Sequence, residues 1–567
     1  MTPRRTVWAI ALGALALRLA LMFLRGDYVV YDEGYYLLLS RSLREGHGFT
    51  LNGLPHVALS PLQPLCVAAL AFLGLGDLWA SRLLGAVCGA LLVVPVAALA
   101  GRWYGARGAT FAALATALLP TLMTFLPFFP GETWNLYFGS EPLFLLLGTG
   151  AIAAAVHAVD EGSMAWWALA GAAAGLAYLA RLEGVVLAAT LGAVTLAALV
   201  RRRRLAFWPR AALALAAGTL VALPYLFYLH GALGRWALSG RVQAAASDEP
   251  AAPQVGAAAP APGGGSQTVR AFVWGGDQEA LWRVLYALDA SGTRMASQYW
   301  GVPHRAAAGS ARATLPTGAP PAAAAPAPPR APAPSQASTL LRGAALVVPV
   351  WVLVLAALGF AAARPRAETA LWLAPALLTA LLPALLAYAE PRALLMLAPA
   401  ACVLAGGALA RAFDWSAGRR MMHWPLPLGA AALLAYPTAH DALRAGDQST
   451  PLQQVAMARR FVGERLAAHL PPGAKIVSWH PAVALYAHRD WRVLPYDTFE
   501  RIVGYARAQG ARVVVFSRFD PSPLREAPRA FTAILLDSGA VFTGGTVHLE
   551  PVEQTPLLFV GRLAASP

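Results

Sequence analysis

Residues 7–24, VWAIALGALALRLALMFL, form an apolar run that is long enough to cross a bilayer as a helix. Arg4 and Arg5 precede the run and no small-residue cleavage site follows it. We therefore expect an uncleaved span with a cytoplasmic N-terminus. Arg18 lies inside the run, where a charge is costly in lipid, so we expect it to face protein or a cavity.

The composition of the whole chain agrees with a membrane protein. Of its 567 residues, 58% are apolar and 13% are charged, about half the charged share that is usual in soluble domains. This composition excludes a disordered chain and an ordinary soluble enzyme. The net charge of +15 comes almost entirely from arginine. Because the arginines stand at the ends of apolar runs, they indicate membrane topology rather than nucleic-acid binding.

Hydropathy and loop charge predict about 11–13 transmembrane helices, with the C-terminus outside. Pro61–Leu75 is short for a span and is predicted as a juxtamembrane helix on the outer surface. The loop at Asp160-Glu161 is placed inside although it carries no basic residue. The spans predicted after residues 7–24 are 82–100, 109–126, 141–158, 165–180, 184–200, 211–229, 341–363, 369–388, 393–410 and 425–438.

Three segments are predicted to lie outside the membrane, beginning with a first outer loop at about 25–80. A large outer loop at about 230–340 has Ala/Pro/Gly-rich flanks, which we expect to be disordered. Its aromatic part, residues 272–286, fits an interfacial helix or a plug over a site. After a transmembrane domain of residues 1–438, residues 440–567 are predicted as a small extracytoplasmic α/β domain. Its predicted elements are helices at 452–470 and 497–509 and strands at 474–479 and 512–516.

The first candidate site follows the first span, at Tyr31-Asp32-Glu33-Gly34-Tyr35-Tyr36. A carboxylate close to the bilayer surface can take a proton from an acceptor hydroxyl. Two adjacent acids also repel each other, which tends to raise the pKa of one of them. A solvated pair of loop acids is the simpler alternative.

Other ionisable residues fall in the loops predicted on the same side. Interfacial anchoring, or a structural Arg–Glu pair, would explain any one of them, whereas their convergence favours a function. Arginine suits phosphate because its planar fork donates two charge-assisted bonds. A polyprenyl phosphate would present its phosphate at this boundary, so transfer from a lipid-phosphate donor is indicated. The candidate substrate-binding residues are Glu141, Arg181, Glu183, Glu390 and Arg392.

Short motifs along the chain carry a family resemblance. They are Asp32-Glu33-Gly34-x-Tyr36, Arg82-Leu83-Leu84-Gly85, Gly101-Arg102-x-Tyr104-Gly105, Ser140 to Phe144, Gly175 to Gly184, Arg392 with Pro399, Leu470 to Ala474, and Tyr505-Ala506-Arg507. With these motifs the chain resembles the GT-C membrane glycosyltransferases, specifically the bacterial group related to protein O-mannosyltransferases and to the lipid A aminoarabinose transferase. The resemblance covers most of the chain.

The resemblance implies a polytopic helical membrane protein of the GT-C type in a bacterial inner membrane. It implies an inverting hexosyl or pentosyl transfer from a polyprenyl-phosphate sugar to a protein, lipid or glycan hydroxyl on the outer face. Asp32 would be the base, and Glu33 would support it or bind the acceptor. Arg181 and Arg392 would contact the donor phosphate. Glu141 would line the cavity.

Some features of the chain depart from the family pattern or leave alternatives open. The family usually has Pro at Leu182 and an aromatic residue at Ala393. His56 is a weaker candidate for the substrate site, because a loop histidine is the simpler explanation. Asp32 and Glu33 could hold a divalent cation, but no His/Asp cluster completes a metal site. A flippase of lipid-linked sugars remains the main alternative, and a non-catalytic scaffold with a partner-binding outer domain is a third reading.

Overall fold

The computed structural model describes residues 3–24, 29, 32–123, 126–129, 132–134, 139–203, 207–240, 286, 288, 291–295, 336–363, 365–386, 391–417, 429, 451–517, 542–544, 547–554 and 558–563. Helices α1 to α17 span Pro3–Leu24, Glu33–Arg44, Leu62–Phe72, Asp77–Leu91, Val93–Leu118, Pro120–Met123, Glu141–Glu161, Met164–Ala180, Gly184–Arg201, Trp208–Leu233, Gln336–Val347, Val350–Ala362, Arg366–Leu386, Leu397–Ala417, Pro451–His469, Ala482–Tyr486 and Phe499–Ala508. Strands β1 to β10 span Thr50–Leu51, Leu54–Pro55, Leu126–Phe129, Glu132–Trp134, Lys475–Ser478, Asp490–Val493, Ala511–Ser517, Phe542–Gly544, Val547–Gln554 and Leu558–Leu563.

The chain divides into two compact units. The membrane unit comprises Met1–Asp27, Ser60–Tyr228 and Pro334–Thr450, and the sheet unit comprises Tyr28–Leu59, Leu229–Ala333 and Pro451–Pro567. Within the described residues, six helical segments are long and apolar enough to cross a bilayer. Their number and hydropathy identify a multi-pass membrane protein. The six segments are Arg4–Phe23, Asp77–Leu118, Glu141–Glu161, Gly184–Arg201, Trp208–Leu233 and Leu397–Ser416.

The predicted spans overlap helices throughout, except for residues 425–438, of which only residue 429 is described. Two predicted spans, 82–100 and 109–126, share one helical segment that turns at Gly105, where φ is +70°. Glycine adopts this left-handed conformation without steric cost. The segment predicted as a juxtamembrane helix is helical and forms α3.

Proline explains two differences between the predicted and observed spans. The span predicted over 109–126 ends at Leu118, because Leu119 precedes Pro120 and is extended, with ψ at 121°. The span predicted over 341–363 is divided into α11 and α12 at Pro349, which is itself extended. The span predicted from 393 begins at Leu397, since Pro391–Leu394 form a 3₁₀ turn.

One end of the membrane unit carries a network of four charged side chains. Arg102 Nε lies 2.6 Å from Asp160 Oδ2, and its Nη2 lies 3.2 Å from Glu368 Oε1. Arg202 Nη1 lies 2.5 Å from the other Asp160 oxygen, and Arg202 also pairs with Glu368. The network joins the Gly105 turn, the ends of α7 and α9, and the start of α13. The acidic residue Asp160, whose loop carries no basic residue, is therefore neutralised by Arg102 and Arg202 from other parts of the chain.

Helices α8 and α10 approach closely through glycine. A Cβ at Gly171 would lie 1.8 Å from the carbonyl oxygen of Ala214, and one at Gly175 would lie 2.6 Å from that of Gly218. Small residues four apart allow such backbone contact between helices in a membrane, where packing replaces the hydrophobic effect. The Gly171-x-x-x-Gly175 spacing thus fixes this helix pair.

We expect Gly171→Val to destabilise the protein by about 1–3 kcal/mol, since the side chain would be forced into the backbone of α10. Thermal unfolding of the purified protein in detergent measures the effect. Gly192→Val is the matched control, because Gly192 is exposed on α9 with nothing within 4 Å of its Cβ position. Equal melting temperatures for the two variants would contradict the proposed packing role.

The sheet unit is built on six strands in the order β6-β5-β7-β10-β9-β8. Strands β6, β5 and β7 are parallel, and the remaining neighbours are antiparallel. The predicted strands and helices appear as β5, β7, α15 and α17. Strand β6 and the antiparallel strands β8 to β10 were not predicted.

The large outer loop falls mostly outside the described residues, as do the Ala/Pro/Gly-rich flanks apart from the first residues of α11. Of the aromatic segment 272–286, only Tyr286 is described. Its ring stacks on Trp479 with centroids 3.7 Å apart, and its carbonyl accepts the Tyr496 N–H at 2.8 Å. This end of the aromatic segment thus packs within the sheet unit.

Candidate active site

The acid pair Asp32-Glu33 stands at the N-terminus of α2, in the sheet unit. The Asp32 carbonyl accepts the N–H groups of Tyr35 and Tyr36, both at 3.1 Å, which closes the first helical turn. Glu33 is buried, with 2% of its surface exposed, and Asp32 is half-buried. Acidic groups at this end of a helix are favoured by the helix dipole. The pair is therefore held in a folded, partly water-excluded place rather than in a solvated loop.

The same unit contains His56, which is fully buried. Its Nε2 accepts the N–H of Leu59 at 2.9 Å, and its ring meets Phe49 edge-on at 5.7 Å. The backbone N–H of His56 donates to the Phe49 carbonyl at 3.0 Å. These contacts give the histidine a local role in shaping its loop.

In the membrane unit, the turn between α8 and α9 presents Arg181 and Glu183. The chain leaves α8 at Ala180, Arg181 is extended, and α9 begins at Gly184. A Cβ at Gly184 would lie 2.3 Å from the backbone nitrogen of Tyr178, so the tight turn requires glycine. The glycine that ends the Gly175 to Gly184 motif therefore lets the turn fold back on α8.

Arg181 lies between two carboxylates. Its Nη2 and Nε donate to the two oxygens of Glu183, at 2.8 and 3.3 Å, and its Nη1 donates to Glu141 at 2.5 Å. The three side chains are 10%, 17% and 9% exposed, in the order Arg181, Glu183, Glu141. Among the described residues, three of the five N–H groups of Arg181 are used, which leaves two for a further acceptor.

The charge balance of this cluster involves Arg392, which lies half-buried in the 3₁₀ turn. Burial works against the charge of Arg181, but the carboxylates of Glu183 and Glu141 outweigh it and raise the pKa of Arg181. The positive charge of Arg392 acts on Arg181 in the opposite direction. Arg392 is thus close enough to add a second cation to the cluster. Glu390 lies outside the described residues.

Two buried arginines of the membrane unit extend the set of polar residues. Arg18 is fully buried and donates to the carbonyls of Ala14 and Leu122, at 3.2 and 2.8 Å, which confirms that it faces protein. Arg82 is also fully buried, with its guanidinium 5.4 Å from the Trp79 ring centroid. The predicted span placed Arg82 at the start of a helix. Because α4 begins at Asp77, Arg82 instead lies inside that helix.

Sequence reasoning did not identify His480 in the sheet unit. It is buried directly after β5, and its Nδ1 accepts the Ala482 N–H at 3.1 Å. The sequence signal for His480 is its position directly after the strand predicted at 474–479. Among the described residues, no group of three or more His, Cys, Asp or Glu side chains is arranged to hold a metal ion.

Comparison with known proteins supports the class predicted from the motifs. The family dolichyl-phosphate-mannose-protein mannosyltransferase matches residues 59–228, a range that contains Glu141, Arg181 and Glu183. No curated protein matches the chain by sequence.

Solved structures resemble the chain over most of its length. One is ArnT from Cupriavidus metallidurans bound to undecaprenyl phosphate, with 15% identity, coverage of 99% of this chain and 98% of that one, and a TM-score of 0.55. Another is the apo oligosaccharyltransferase of Archaeoglobus fulgidus, with 14% identity, coverage of 90% and 69%, and a TM-score of 0.51. The chain therefore has the fold of the GT-C membrane glycosyltransferases, and the resemblance predicted from its motifs is confirmed at the level of this class.

Proposed function

We propose that the protein is an inverting glycosyltransferase that moves a hexosyl or pentosyl group from a polyprenyl-phosphate donor to an acceptor hydroxyl on the extracytoplasmic face. The observation that carries the proposal is the partly buried Arg181, held between Glu141 and Glu183 at one end of an apolar helix bundle. A guanidinium held in this way is pre-oriented for a phosphate whose lipid tail stays in the bilayer. The similar ArnT structure is bound to undecaprenyl phosphate.

Charge placement supports the extracytoplasmic side for this chemistry. Helix α7 runs from Glu141, beside Arg181, to Asp160 in the four-charge network. Its 21 residues correspond to about 31 Å, the thickness of a bilayer core. Arg201 and Arg203 flank Arg202 of the network in the sequence, and loops rich in arginine favour the cytoplasm. The Arg181 end is then the outer end.

In the proposed reaction, Asp32 accepts the proton of the acceptor hydroxyl as the hydroxyl oxygen attacks the anomeric carbon of the donor. The bond between that carbon and the phosphate oxygen breaks, and polyprenyl phosphate leaves with the electron pair. A single displacement of this kind inverts the anomeric configuration. Glu33 supports Asp32 or binds the acceptor, which is a protein, lipid or glycan.

Arg181 and Arg392 stabilise the charge that develops on the leaving phosphate. Glu183 and Glu141 hold the Arg181 fork in place, so less reorganisation is needed when the charge forms. Glu141 also lines the substrate cavity in this proposal. Glu390 and His56 complete the candidate substrate-binding set.

Transfer assays in membranes test the proposal with a panel of labelled polyprenyl-phosphate pentoses and hexoses. We expect the label to move to an acceptor only in membranes that contain the protein. Membranes from cells lacking the protein provide the control. If no donor of the panel is cleaved while vesicles containing the protein translocate the intact donor, the protein is a flippase and the proposal is wrong.

A further inference from the structure

Trp479–Tyr486 follows the carboxyl end of the parallel strand β5 and includes α16. We call these residues the clamp segment. Ligand and catalytic sites of α/β sheets commonly lie at this edge. In the sheet unit, the clamp segment contacts the chain on both sides of the acid pair Asp32-Glu33. No motif connects these two parts of the sequence, which are about 450 residues apart.

The first contact precedes the acid pair. The backbone N–H of Val29 donates to the hydroxyl oxygen of Tyr486 at 2.7 Å. Val29 itself is buried, with 2% of its surface exposed. A short bond from a buried backbone donor anchors the chain three residues before Asp32.

The second contact is made at Gly34, directly after the acid pair. A Cβ on this residue would lie 2.6 Å from Pro481 Cγ and 3.3 Å from His480 Cε1. The first distance is shorter than any ordinary carbon contact, so only glycine fits without a shift. The glycine of the Asp32-Glu33-Gly34 motif therefore allows the first turn of α2 to touch the clamp segment.

The third contact is made by Tyr35. Its hydroxyl donates to the Trp479 carbonyl at 3.4 Å, and its ring meets Trp491 edge-on at 5.5 Å. Local hydrogen bonds hold the clamp segment at this point. The Ser478 hydroxyl donates to the His480 carbonyl at 2.9 Å, and the His480 ring accepts the Ala482 N–H.

We propose that the clamp segment positions the acid pair for catalysis, with Pro481 and His480 as positioning residues that act through Gly34. This inference rests on the proposed role of Asp32 as the base. A base contributes fully only when it is held at the correct distance from the reacting hydroxyl, and a displacement of about 1 Å can cost about 100-fold in rate. The C-terminal part of the chain thereby takes part in the reaction without touching the substrate.

A double-mutant cycle of Gly34→Ala and Pro481→Ala tests the proposal. We expect Gly34→Ala to lower kcat by about 10- to 100-fold, with KM for the donor unchanged within about twofold. Adding Pro481→Ala removes the clashing Cγ, so the double variant should recover to the level of Pro481→Ala alone. Gly504→Ala is the matched control, since Gly504 lies in helix α17 of the same unit with open space at its Cβ position.

Hydrogen exchange provides a readout that does not depend on activity. The amides of Tyr35 and Tyr36, which donate to Asp32, should exchange faster in Gly34→Ala and return to the wild-type rate in the double variant. His480→Ala should lower kcat, and His480→Asn should restore part of it, because the asparagine oxygen can accept the Ala482 N–H. This second pair keeps the test valid if Gly34→Ala does not fold.

The outcomes distinguish failure of the proposed role of the clamp segment from failure of the proposed function. If the wild type transfers no sugar, or if Asp32→Asn is fully active, the proposed function of the acid pair is wrong and the clamp has no catalytic role. If Asp32→Asn is inactive but Gly34→Ala keeps wild-type kcat and amide exchange, the clamp proposal alone is wrong. Loss of activity in Gly34→Ala without recovery in the double variant also contradicts it.

Discussion

Asp32→Asn is expected to lower the rate of sugar transfer by about 10²- to 10⁴-fold, the usual contribution of a general base. Asparagine has the size of aspartate but cannot accept the hydroxyl proton. The fold should tolerate the change, because Asp32 gives α2 no side-chain capping bond and its carbonyl, which closes the first turn, is retained. Initial rates at saturating donor, together with the melting temperature, measure the two effects separately.

Glu45→Gln is the matched control for this experiment. Glu45 caps the other end of α2 and its side chain is 52% exposed, so the substitution makes the same charge change on the same helix. We expect transfer at the wild-type rate. Wild-type activity in Asp32→Asn would remove Asp32 from the mechanism and direct attention to Glu33 or Glu141.

Arg181→Ala is expected to have the second large effect, on both stability and transfer. Removing the arginine breaks its ion pairs with Glu141 and Glu183, and breaking a largely buried ion pair costs about 3–5 kcal/mol. Transfer should fall by about 10²- to 10³-fold, as when a group that stabilises transition-state charge is removed. Chemical or thermal unfolding gives the first quantity, and transfer per folded protein gives the second.

A triple variant separates the two roles of Arg181. Combining Arg181→Ala with Glu141→Gln and Glu183→Gln also removes the two negative charges that faced the arginine, so stability should recover while transfer stays low. Arg202→Ala at the four-charge network is the control, since Arg202 also lies between two carboxylates but at the other end of the bundle. It should lose less stability, because its side chain is 25% exposed, and transfer per folded protein should be unchanged. Normal transfer by the triple variant would contradict the phosphate-binding role.

Much of the helical architecture could be predicted from the sequence, because apolar runs and their flanking arginines report directly on membrane spans. The burial of Arg18 also followed from the cost of a charge in lipid. The break at Pro349 differs from the single span predicted over 341–363. A proline inside an apolar run ended the helix even though hydropathy continued past it.

The sheet was harder to predict than the helices. Strands β5, KIVS, and β7, ARVVVFS, have apolar centres and are buried at nearly every position, as expected of parallel strands that are covered on both faces. Strand β6 contains only four residues, two of them charged, and its identity depends on pairing with β5. Strand β9, VHLEPVEQ, carries a proline and four polar or charged residues, so its strand conformation depends on pairing with its neighbours rather than on its own β-propensity.

The candidate site residues could be selected from the sequence, but their partners could not. Arg181 and Glu141 are 40 residues apart, and their pairing depends on how α7 packs against α8. The contact of Gly34 with Pro481 depends on the tertiary fold of the sheet unit, and no local pattern reports it. Local sequence thus identifies the chemical groups, whereas their geometry comes from long-range packing.

The most direct test of the central claim uses purified wild type and Asp32→Asn, each reconstituted in lipid vesicles with a polyprenyl-phosphate sugar labelled in both the sugar and the carrier. The measured quantities are the sugar bound to acceptor and the free carrier phosphate. We predict that the wild type releases one carrier phosphate for each sugar transferred and that the variant releases almost none. Movement of the intact donor across the bilayer, with the bond between sugar and phosphate unbroken in both proteins, would contradict the account.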